Sequence, residues 1–170
     1  MTVARPARLD VALAVALGIV VELELVVSSA RDTPLAPALA LGALFALAMA
    51  WRRVAPLAAL GATAAAALAL GLTGTPPQDL ASTSVVVAFV AFAIGGHLGR
   101  RRAWAGLGGV LALILAVTPL GEDQTVSDVI FPLALFSGCW ALGRIVRSRA
   151  RLTAELTART EQLERDRVER

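Results

Sequence analysis

Apolar residues fall into six long blocks, 11–30, 35–51, 56–72, 80–99, 103–119 and 127–146, separated by short breaks rich in charge, Gly or Pro. The blocks do not alternate apolar with polar positions, and 57–72 is apolar on every side. That pattern excludes half-buried strands and predicts helices. Each block approaches the about 20 helical residues that a hydrocarbon layer roughly 30 Å thick requires. The expected fold class is therefore all-α: a polytopic membrane protein with six transmembrane helices and a following cytoplasmic helix. The breaks match helix chemistry. Pro34 and Pro37 open the second block and Pro56 the third, Gly74-Thr75-Pro76-Pro77 divides third from fourth, and Pro119-Leu120-Gly121 closes the fifth.

Composition supports this reading. Of 170 residues 57% are hydrophobic and 17% charged, and the mean hydropathy is +0.72, values that argue against a water-soluble enzyme. The first block follows Arg5 and Arg8 as a signal peptide would, but its length and its Glu22 and Glu24 mark it as retained. All sixteen basic residues are Arg. They collect at alternate ends of the blocks, as Arg5 and Arg8, then Arg52 and Arg53, then Arg100, Arg101 and Arg102, then Arg144, Arg147, Arg149 and Arg151. The opposite breaks hold Arg31 among Asp32, Asp79, Glu122, Asp123 and Asp128. By the positive-inside rule the chain is expected in the cell membrane as a multi-pass protein with both termini cytoplasmic. This arrangement explains the basic charge without nucleic acid, which is not expected as a partner. Trp51, Trp104 and Trp140 lie near the arginine clusters, where indoles are expected to anchor in the headgroup zone.

After the sixth block the chain changes character. Residues 147–170 are rich in Arg and Glu with no Gly or Pro, so a helix continuing from the last block would project about 36 Å. Leu152, Leu156 and Leu163 are spaced as a short coiled-coil seam, with Arg159 and Asp166 at its other positions. The alternative is a solvated charged helix. The expected organisation is a six-helix sensor and anchor domain over 1–146 and a cytoplasmic signalling helix over 147–170 that pairs in a homodimer.

Three motifs carry a family resemblance: Ala50-Trp51-Arg52-Arg53-Val54-Ala55-Pro56-Leu57, the Arg100-Arg101-Arg102 cluster, and Trp140-Ala141-Leu142-Gly143-Arg144 followed by Arg147-Ser148-Arg149 and Leu163-Glu164-Arg165. Together they resemble the N-terminal membrane domain of actinobacterial two-component sensor histidine kinases of the nitrate-sensor-like family. The resemblance implies that the charged helix leads into a dimerisation and phosphoacceptor helix pair and an ATP-binding domain, with a response regulator as partner. Residues 1–170 contain no Glu-Leu-His-Asp phosphoacceptor segment, Asn-box or Gly-rich lid. ATP and Mg are therefore expected only for a kinase core outside this chain, which itself carries no catalytic residues and no cofactor.

Within the blocks, Glu22 and Glu24 stand out, because a carboxylate in an apolar span is costly and usually faces protein or water. They lie about 18 and 21 Å along the helix from Asp10 and, two residues apart, point in different directions. They are candidate sensing residues, the rival being that the span ends near Leu25. His97 has no second ligand nearby and is expected to be a helix-end residue, and Cys139 a packing residue. Gly95 with Gly99, and Gly106, Gly108 and Gly109, are expected to let helices approach closely. Pro132 either kinks the sixth helix or sits harmlessly near its first turn. The alternative function is a small six-helix transporter or channel, although no matched pair of interrupted helices supports it.

Overall fold

In a computed structural model of the protein, the described residues are 7–28, 35–72, 80–120 and 125–168. They form six α-helices: α1 Arg8–Ser28, α2 Leu35–Trp51, α3 Pro56–Leu72, α4 Ala81–His97, α5 Arg100–Val117 and α6 Val126–Val168, with a short 3-10 turn Thr118–Leu120 after α5. The all-α expectation is met. The loop residues Arg31, Asp32, Asp79, Glu122 and Asp123 lie outside the described residues, as does Arg5.

The expectation of six transmembrane helices is corrected. Among the described residues one helix, Val126–Arg167, combines the length and apolar character needed to cross a membrane. The others fall short for physical reasons. Helices α2, α3 and α4 each have 17 residues, about 26 Å at 1.5 Å per residue. Helix α1 carries Arg8, Asp10, Glu22 and Glu24 along its length. The Arg100, Arg101 and Arg102 cluster lies not in a loop but inside the first turn of α5, which takes three charges into that helix. Apolar blocks of nearly the right length thus mark helices, but not helices long and uncharged enough to span.

Helix α4 is the hub of the bundle, touching α1, α2, α3, α5 and α6. Its buried side is a stripe of Val86, Val90, Ala91 and Ile94, at the three- and four-residue spacing of one helix face. Against it pack Leu70 of α3, Phe45 of α2, Val110 of α5 and Phe136 of α6, all in one continuous core. A smaller cluster of Ala14, Met49 and Ala50 closes the other part of the α1–α2 contact.

The most extensive pairing is between α4 and α6. It depends on two glycines. A Cβ at Gly95 would collide with the Trp140 carbonyl oxygen, and a Cβ at Gly143 would collide with the Phe92 carbonyl oxygen. The two backbones therefore meet with no side chain between them, a contact that small residues alone permit. Gly99, by contrast, faces open space and precedes α5, so the close approach involves Gly95 against the Trp140 and Arg144 backbone and Gly143 against the Phe92 and Gly96 backbone.

Helix α6 is continuous for 43 residues, about 65 Å. Pro132 lies inside it and denies the Asp128 carbonyl its usual i+4 donor. Gly143 is the last buried residue of α6, Arg144 and Arg147 are half-buried, and residues 148–163 are exposed throughout. The helix thus has one half held by the bundle and one half standing free.

Gly143→Val forces the α4 and α6 backbones apart and is expected to cost about 1–3 kcal/mol, read as a lower midpoint in thermal unfolding followed by circular dichroism. Gly138→Ala, at a position with open space around it, is expected to leave stability unchanged or raise it by about 0.5–1 kcal/mol.

Candidate functional site

One polar cluster lies where α6 leaves the bundle. The last carbonyls of α4 have no partner within their own helix. Two arginines of α6 supply donors: Arg147 Nη1 donates to the Gly96 carbonyl and Arg144 Nη1 to the Leu98 carbonyl, each at 3.3 Å. Positive charge there also suits the negative end of the α4 dipole. Four residues before Arg144, the indole N–H of Trp140 donates to the Ala103 carbonyl of α5 at 3.0 Å, and its ring lies 4.7 Å from that of Trp104 at a tilt of 50°. Trp140 is buried, so this indole joins α6 to α5 and does not hydrate in a headgroup layer as expected. Trp104 remains exposed. Gly95, Gly143, Trp140, Arg144 and Arg147 thus form one collar around the exit of α6.

A second polar cluster at the start of α1 was not anticipated. Asp10 is 2% exposed and Arg52 5%. Arg52 Nη2 donates to Asp10 Oδ1 at 2.7 Å, and Arg53 Nε lies 3.1 Å from the same oxygen. Arg52 Nη1 donates to the Met49 carbonyl at 2.8 Å, and its guanidinium stands 5.6 Å from the centre of the Phe89 ring. Burial pushes the Arg52 guanidinium down and Asp10 opposes it, while Arg53 adds a smaller downward push. The pair joins α1 and the α2–α3 turn, with Phe89 bringing in α4. Arg52 and Arg53 were read only as topology signals. Asp10 was passed over because a single acid beside Arg8 and Leu9 carries no pattern in sequence.

Glu22 and Glu24 part company, as their different directions on the helix require. Glu24 accepts from the backbone N–H groups of Ala81 at 2.7 Å and Ser82 at 3.0 Å. These are donors in the first turn of α4, which has Leu80 at its N-cap and no local side-chain cap. A carboxylate from α1 therefore performs the capping that Ser, Thr or Asp would ordinarily provide. Glu22 instead lies on α2: a Cβ at Gly42 would come within 2.7 Å of its Oε1. The two acids do not share a site.

The remaining candidates are also placed. Arg101 and Arg102 are exposed in α5, at a helix N-terminus, where positive charge is disfavoured by roughly 0.3–1 kcal/mol per residue. His97 Nδ1 is 3.1 Å from the Ala93 carbonyl, at the last turn of α4, and Cys139 packs partly buried against the core. Leu152, Leu156 and Leu163 are 58–64% exposed on the free half of α6. Among the described residues no group of His, Cys, Asp and Glu is arranged to hold a metal ion.

A family model described as a domain of unknown function, DUF7134, matches residues 1–150. The chain belongs to the DUF7134 family. No curated protein and no solved structure matches the chain. The DUF7134 match includes the whole helical bundle and the collar, and ends at residue 150, three residues beyond Arg147. The exposed leucines of α6 lie past that boundary.

Two substitutions separate the roles of these acids. Asp10→Ala leaves Arg52 buried without its carboxylate and is expected to destabilise the bundle by about 3–5 kcal/mol. Glu24→Ala removes the α4 cap and is expected to cost about 1–2 kcal/mol. Chemical or thermal unfolding monitored at 222 nm checks both, and an Asp10→Ala loss no larger than that of Glu24→Ala would contradict the assignment.

Proposed function

We propose that the chain is the membrane-anchoring and sensory part of a two-component sensor histidine kinase and acts as a homodimer through the free half of α6. The observation that carries this reading is the continuity of α6. It runs without a break from an apolar segment packed on α4 into a charged segment that is exposed from residue 148 to 163, Leu152, Leu156 and Leu163 included. A long charged helix with a leucine seam is stabilised by pairing with a second copy, and a helix clamped at one end transmits changes in its packing to the other.

Membrane association is supported by the apolar segment of α6 and by the outer surface of the bundle. Ile19, Leu23, Val27, Leu72, Ile130, Phe131 and Leu142 are all more than half exposed. An apolar surface of this extent is covered by lipid or partner in a stable protein. The arginines after Leu142 support a cytoplasmic position for the free half of α6. Three arginines in the first turn of α5 oppose the helix dipole, and anionic lipid headgroups at that end would offset the cost.

In this reading the bundle has two packings of nearly equal energy, and a stimulus that favours one by a few kcal/mol shifts the population of the signalling state. Glu22, set against the α2 backbone at Gly42, is the sensing candidate. Glu24 is tied to the α4 terminus and holds the bundle in shape. ATP, Mg and the response regulator belong to a kinase core outside this chain, which the α6 leucines would bring together as a dimer.

Single cysteines in a Cys139→Ala background test the dimer. In membranes, Leu156→Cys and Leu163→Cys are expected to form symmetric disulfides on mild oxidation, several-fold faster than Ala154→Cys and Glu161→Cys on the opposite face. Equal rates at all four positions would contradict a seam.

A further inference from the structure

A cleft of about 80 Å3 lies among α3, α4, α5 and α6, at the end of α4 remote from the collar. Its walls are mostly apolar, including Val87, Ile114, Val117 and Phe136. Its volume is roughly half that of a ~150 Å3 apolar cavity that takes up benzene. Four polar side chains line it, Thr83, Ser84, Thr118 and Asp128, and three of them differ in what they have left to offer. The Thr118 hydroxyl is engaged with the Ile114 carbonyl at 2.7 Å. The Asp128 carboxylate is turned to the start of α6, where its Oδ2 accepts from the Thr125 amide at 2.8 Å and the Thr125 hydroxyl at 2.6 Å. Thr83, 7% exposed, has a hydroxyl with no partner among the described residues.

An unpaired buried hydroxyl costs about 1–3 kcal/mol, and its position explains how it arises. Thr83 sits in the first turn of α4, where its amide already bonds the Leu80 carbonyl at 3.1 Å. A threonine deeper in a helix would pass its proton to the carbonyl four residues back, whereas at this helix start the Thr83 hydroxyl has no partner among the described residues. Pro132 lines the same cleft and, lacking an N–H, leaves the Asp128 carbonyl without its usual helical donor. The cleft therefore combines apolar walls, one free hydroxyl and one backbone acceptor that the helix does not satisfy. A cation is not called for, since among the described residues the one carboxylate on the lining, Asp128, serves the α6 terminus.

We propose that this cleft binds a small neutral amphiphile of the short-chain alcohol class, its hydroxyl paired with Thr83 and its alkyl part against Val87, Ile114 and Phe136. Because Pro132 forms part of the wall, the occupant also touches the one position where the α6 hydrogen-bond ladder is interrupted. Binding does not depend on the signalling role proposed above; only its consequence for the free half of α6 rests on that reading.

The test is a titration of 1-butanol into the full chain in detergent micelles, followed by NMR of the Val87 and Ile114 methyl groups. Saturable shifts are expected in the unaltered protein. Thr83→Val, which removes the unpaired hydroxyl at constant shape, is expected to fold as stably and to weaken binding about tenfold. Ser84→Phe, which fills the cleft from its half-buried lining, is expected to abolish the saturable shifts while the helical circular dichroism is retained. Shifts that grow linearly without saturation, equal affinity in Thr83→Val, or equal affinity for n-pentane would overturn the proposal. Failure of this titration would leave the α6 cross-linking pattern untouched, so the two readings fall separately.

Discussion

Helices α4 and α6 meet backbone to backbone at Gly95 and Gly143, and the rest of the structure is arranged around that contact. A glycine within a helix costs about 0.5–1 kcal/mol relative to alanine, so one on each side of the interface needs a return. The return is proximity. With no Cβ between them, the helices bring many atoms into dispersion contact, and the Trp140 indole, Arg144 and Arg147 reach carbonyls of α4 and α5 from the same stretch of α6. The collar fixes α6 at one level, and beyond it the helix extends without support from the bundle.

Charged groups perform a corresponding task elsewhere in the bundle. Asp10 and Arg52 fasten α1 to the α2–α3 turn, and Glu24 fastens α1 to the first turn of α4. In each case a charged group lies where a backbone terminus or an opposite charge satisfies it, as the cost of burying an unpaired ion demands. These ties connect α1 through α4 to α6, so a change at Glu22 or in the Thr83 cleft has a continuous set of packed and hydrogen-bonded contacts leading to the exit of α6.

The helical class, the positions of all six helices and the unbroken passage from apolar bundle to charged tail were legible in the sequence, because long apolar blocks and Gly or Pro breaks are local signals. The membrane count was not. An apolar block reports burial but not whether lipid or protein does the burying, and α4, the most apolar-walled of the helices, is surrounded by five others. Gly95 is legible as a packing residue, whereas Gly99, the other half of the GxxxG pair, faces open space, and the backbone of Trp140 and Arg144 that Gly95 meets is distant in sequence. Trp140 looked like an interfacial anchor by its place beside Arg144 and is instead a buried donor. Asp10 and the cap formed by Glu24 depend on contacts 42 and 57 residues apart, which no periodicity encodes.

The structure rests on the backbone approach of α4 to α6 that Gly95 and Gly143 permit, and that approach positions the free half of α6. Pulsed electron–electron spin resonance between labels at Arg100→Cys and Arg151→Cys, in a Cys139→Ala background, measures that position directly. The account predicts a narrow distance distribution that becomes broad or shifted when Gly143→Val is added. A distribution unchanged by Gly143→Val would show that the tail is held by something other than the glycine contact.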